Sequence, residues 1–113
     1  MAFDEGHAQL LRDDLEGRDG LDERRMFGGL CFMLNGHMLC GVHGEKYAGG
    51  ALMFRVGKPR VAAALEIPGT AQMNFTGKPM GGMIDAFGAG LDDDNRKALL
   101  ALSLENVASL PPK

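Results

Sequence analysis

At 113 residues with 45% hydrophobic content, the chain is long enough for one domain with its own apolar core, needing neither a disulfide framework nor a structural metal. Two cysteines are too few for a secreted disulfide scaffold, and no apolar run is longer than that of residues 30–34, far short of the ~20 residues of a spanning helix. The net charge of −3, with Asp4 and Glu5 where a secretion signal carries cations, points to a cytoplasmic protein with free thiols and away from a default nucleic-acid binder.

Ala8, Leu11 and Leu15 recur at helical spacing and predict a short helix over residues 7–15 that ends near Gly17 and Gly20. After Gly28-Gly29, residues 30–35 read as a strand, and Asn35-Gly36 turns it into a second strand over 37–43, because both turn residues tolerate the positive φ of a type I′ turn. Residues 43–50 have turn chemistry and no period, so a loop leads to a third strand over 51–56, with Leu52, Phe54 and Val56 on one face and Arg55 on the other. Lys58-Pro59 opens a short helix that buries Val61, Ala64 and Leu65 and stops at Pro68-Gly69. Two short strands follow at 73–75 and 80–87, then a helix from Asp92, acting as its cap, to Ser109. The order α-β-β-β-α-β-β-α predicts a single α+β domain over residues 1–113, an antiparallel sheet of about five strands with helices packed on it.

Three strings follow one another in a specific order. They are Arg25-Met26-Phe27-Gly28-Gly29 before the first strand, Leu52-Met53-Phe54-Arg55-Val56-Gly57, and Met73-Asn74-Phe75-Thr76-Gly77-Lys78-Pro79-Met80. Together with the glycine turn between them they resemble the amino-terminal domain of the TfoX/Sxy family, from about residue 24 to the carboxy-terminal end. The resemblance implies an α+β domain with an antiparallel sheet and an association with regulation of natural competence genes, and it does not imply an enzyme active site. The loop around Tyr47 is a few residues longer than is usual in that family. The chain ends where longer members continue into a second, helical domain, so a stand-alone amino-terminal domain is expected.

Charge is unevenly spread. Residues 1–23 carry two basic and eight acidic side chains, residues 24–82 seven basic and two acidic. Either the acidic segment packs near the basic middle and neutralises it, or Arg25, Arg55 and Lys78 form an anion or nucleic-acid site; the first is favoured. In the hairpin, an unbroken register pairs Leu34 with His37, Met33 with Met38, Phe32 with Leu39 and Cys31 with Cys40. Cys31, Met33, Met38 and Cys40 then share one face, with His37 and His43 on the other, so the hairpin alone cannot build a Cys2His2 zinc site. The sulfur patch suggests core packing first and a thiol-redox or soft-metal sensor through Cys31 and Cys40 second. Phe27 reads as a core anchor and Gly28-Gly29 as a tight backbone entry.

Gly77-Lys78 lacks the rest of a phosphate loop, Ser103 and Ser109 lack a nucleophile elbow, and Asp92-Asp93-Asp94 point in different directions on a helix. The expectation is a non-enzymatic binding module without cofactor, metal or membrane association. Its partner is a protein or a second copy, since both hairpin faces are apolar.

Overall fold

A computed structural model describes residues 3–26, 28–47, 51–75 and 78–111, with the backbone alone for residues 75 and 78–80. Helix α1 spans Glu5–Asp14. Strands β1 (Leu21–Met26), β2 (Gly29–Leu34), β3 (His37–Val42) and β4 (Leu52–Arg55) follow. A 3₁₀ turn at Lys58–Arg60 leads into α2 (Val61–Leu65), then β5 (Thr70–Phe75) and β6 (Lys78–Ala86). A second 3₁₀ turn at Gly88–Leu91 precedes α3 (Asp93–Ala108).

The expected α+β order holds, with one strand more than anticipated: β1 had not been foreseen. All strands lie in one six-stranded sheet in the order β1-β2-β3-β4-β6-β5, every neighbouring pair antiparallel. The hairpin turn is as predicted, with Asn35 at φ 52° and Gly36 at φ 85°. Asp4 caps α1 by accepting a hydrogen bond from the His7 amide at 3.1 Å. Asp92 stands at the amino-terminal cap of α3, but its side chain makes no capping bond.

One face of the sheet carries the helices. Ala8, Leu11 and Leu15 from the first helical segment and Leu99, Leu100 and Val107 from α3 close over Leu30, Phe32, Leu52, Phe54 and Ile84. From α2 Ala64 is fully buried and Val61 packs partly buried against the core, whereas Leu65, expected inside, is 43% exposed. A buried charge needs a partner, and Arg96 of α3 grips Asp14 at the end of α1 with bonds of 2.6 and 3.1 Å, both side chains nearly sealed from water.

The opposite face gathers Cys31, Met33, Met38, Met53, Met73 and Met83, all buried within the chain. The second apolar face of the hairpin is therefore covered inside the protomer, which removes the expected ground for a dimer through that face.

Gly29 explains part of the entry into β2. A Cβ there would collide with the backbone of Val42, Gly44 and His43, and Gly28 before it sits at φ 75°. Phe27 lies outside the described residues.

Candidate functional site

The hairpin register departs from the expected one at a single residue. Leu34 pairs with His37 and Met33 with Met38, but Phe32 pairs with Cys40 and Cys31 with Gly41, leaving Leu39 as the extra residue of a β-bulge. One inserted residue reverses the faces of everything beyond it. Cys40 joins Leu39 in the helix-side core while Cys31 stays with the methionines. The two cysteines are thus not the cross-strand neighbours that the unbroken register required, and the shared Cys31/Cys40 patch does not form. Both thiols are free and buried. Burial pushes Cys31 up to about 11 and raises Cys40 further, Cys31 and Asp14 adding to the latter, so neither is primed as a thiolate.

The same bulge carries His43 to the methionine side, where it meets Asp85 of β6. His43 Nε2 lies 2.7 Å from Asp85 Oδ1, and the Tyr47 hydroxyl donates to Asp85 Oδ2 at 2.6 Å. The His43 and Tyr47 rings stack at 3.8 Å with 14° between planes. Both members of the His43–Asp85 pair are buried. Burial, then the hydrogen bond to the Asp85 carboxylate, pushes the Tyr47 phenol up to about 12. His43 Nδ1, the other ring nitrogen, is buried and has no hydrogen-bond partner among the described residues. A cavity of about 240 Å³ opens beside the cluster, lined by Asp4, His7, Glu45 and Ala51 as well as His43, Gly44 and Tyr47. A carboxylate-oriented imidazole is half of a general-base arrangement, but no hydroxyl or thiol bonds to His43 Nδ1 among the described residues.

The three expected anion-binding residues are not brought together. Arg25 stands on β1 opposite Leu30, on the helix side, with its guanidinium 5.5 Å from the Phe3 ring centre. Arg55 stands on β4 opposite Met83, on the methionine side, three strands away. Strand alternation puts them on opposite faces. Lys78 begins β6, and its side chain lies outside what is described. Among the described residues, the acidic segment reaches the basic middle by an ion pair between Asp22 and Arg24, 3.3 Å apart and largely exposed. Arg12 within the segment pairs with Glu23 and Glu5, and Asp14 pairs with Arg96 of α3.

What sequence reasoning missed altogether is the edge of the sheet. Strand β1 has β2 on one side only, and residues 22–26 are exposed. The Asn35 amide donates to the Gly20 carbonyl, which sets the phase of the β1–β2 ladder. Asp22, Arg24 and Met26 therefore turn their backbone groups toward β2, while Leu21, Glu23 and Arg25 turn theirs outward. Glu23 is fixed from the helix side by Arg12, whose Nε and Nη2 lie 3.0 and 2.9 Å from its carboxylate. Asp22 and Arg24 share the other face.

These features define an α+β domain with an antiparallel sheet, helices on one face and an open, charged edge. The chain belongs to the TfoX family: the family model for the TfoX N-terminal domain matches residues 13–106. No curated protein and no solved structure matches it. No helix among the described residues is long and apolar enough to cross a membrane.

Proposed function

We propose that the chain is a non-enzymatic binding module that engages protein partners by strand addition at β1, in the regulatory role with which the family is associated. The observation that carries this reading is the outward row of amides and carbonyls at Leu21, Glu23 and Arg25 on an exposed strand. Such a row is a template for a further strand, with main-chain bonds supplying affinity and flanking charges supplying choice of partner. The polar residues that could do chemistry are engaged in holding the fold: His43 with Asp85, and Arg96 with Asp14. A thiol switch through Cys31 and Cys40 loses its support with the register, and an anion site loses its support with Arg25 and Arg55 on opposite faces.

The test is a comparison of partners retained by the native chain and by Glu23→Pro. Proline at 23 removes an outward donor and leaves the β1–β2 ladder bonds intact. Loss of a retained partner in the variant, with unchanged circular dichroism, supports strand addition. An identical set of partners on both would remove the edge from the account.

A further inference from the structure

Charged residues on an edge strand keep most other chains away, and β1 carries four in a row, Asp22-Glu23-Arg24-Arg25. Their order, though, is complementary to itself. A two-fold axis normal to the sheet sets opposite residues on the same face, so an even residue faces an even one and an odd residue an odd one. Because the outward backbone groups belong to Leu21, Glu23 and Arg25, a register centred on Glu23 uses all three from each strand, whereas one centred on Asp22 or on Arg24 uses two from each, and the Asp22-centred one sets two Asp22 side chains at the closer spacing.

Centred on Glu23, Leu21 faces the partner's Arg25 and Glu23 faces the partner's Glu23, for about six backbone hydrogen bonds. Asp22 then faces the partner's Arg24 twice over, at the closer spacing of non-hydrogen-bonded pairs. The single like-charged pair, the two Glu23 side chains, falls at the wider spacing of about 5.5 Å. Each of those carboxylates is already held by its own Arg12. Centred on Arg24, the same strands make about four bonds and bring two arginines to the closer spacing, with Asp22 opposite Met26.

On the strand-addition reading above, we infer that the strand added at β1 is β1 of a second copy, antiparallel about a two-fold axis through Glu23. The two six-stranded sheets become one continuous sheet. A contact this narrow fits a weak, concentration-dependent dimer.

Glu23→Cys tests the register directly. The opposed Cα atoms, about 5.5 Å apart, lie within the range a disulfide accepts, and the native thiols are buried and do not compete. Mild oxidation is expected to convert most of the Glu23→Cys chain to a covalent dimer, and Arg24→Cys to much less. By sedimentation equilibrium, Arg24→Asp weakens the dimer about tenfold by turning two attractive pairs repulsive. The swap Asp22→Arg with Arg24→Asp restores it. A native chain that stays monomeric at high micromolar concentration overturns the inference, as does faster cross-linking through position 24 or a swap that fails to restore. If the native chain is monomeric but Glu23→Pro still loses a captured partner, the second copy is wrong and strand addition stands.

Discussion

Tyr47 is the chain's single tyrosine and there is no tryptophan, so phenolate absorbance reports on this residue alone. Its phenol is held up to about 12 by burial and by the Asp85 carboxylate. Titration at the phenolate band is expected to give a midpoint near that value in the folded chain, and Asp85→Asn to bring it toward the ordinary value of about 10. The linked effect on stability has one sign. The unfolded chain releases this proton at about 10 and the folded chain does not, so stability is intact below that pH and falls as pH rises toward 12. A midpoint at the ordinary value would show the Tyr47–Asp85 bond to be absent. The second prediction at a single pair concerns Asp14 and Arg96. Asp14→Ala removes the buried one of two carboxylates on the Arg96 guanidinium, leaving Asp93 and the Leu91 carbonyl, and should cost about 2 kcal/mol in denaturant unfolding, whereas Asp14→Leu with Arg96→Met should recover most of it. Equal losses in the single and double variants would mean that charge pairing is not what Asp14 contributes. Neither cluster was legible in the sequence. His43 and Asp85 are 42 residues apart and Asp14 and Arg96 are 82 apart, and only the strand and helix order brings them together. A lone aspartate in the apolar string Met83-Ile84-Asp85-Ala86 was the available signal, since a buried carboxylate needs a partner.

Among the elements, the hairpin turn and the first helix were legible from local chemistry, whereas the side-chain cap of α3, the bulge in β3 and the edge strand were not. The hairpin turn follows from Asn35-Gly36, and the buried face of α1 from Ala8, Leu11 and Leu15. The bulge at Leu39 carries no marker residue; it answers to the strands on either side of β3 and decides which face Cys40 and His43 occupy. Strand β1 has four consecutive charged residues and neither side buried against an apolar layer, so it shows no two-residue period. The bulge makes the third prediction. With the cysteines on opposite faces, mild oxidant should leave the intact mass unchanged, with no two-hydrogen loss, and both thiols should resist alkylation at pH 8 until the chain unfolds. An internal disulfide in the native chain would restore the unbroken register. A fourth prediction belongs to the entry of β2: Gly29→Ala forces its Cβ against the Val42 carbonyl and should destabilise the fold by about 2 kcal/mol or more, read from the shift in denaturant midpoint.

In the molecule as a whole, the helices cover one face of the sheet, and the sulfur-rich cluster on the other face is buried within the chain. The sheet ends laterally at β1 and β5, and β1 is the edge whose residues 22–26 are all exposed, whereas β5 buries Met73. Amide hydrogen exchange along β1 tests this claim most directly. In dilute solution the Asp22, Arg24 and Met26 amides, bonded to β2, should exchange slowly, and those of Leu21, Glu23 and Arg25 quickly. As concentration rises into the dimer range, the second set should become protected while the first does not change. Protection of Glu23 and Arg25 that is already complete in dilute solution, or that never rises with concentration or with a bound partner, would contradict the account.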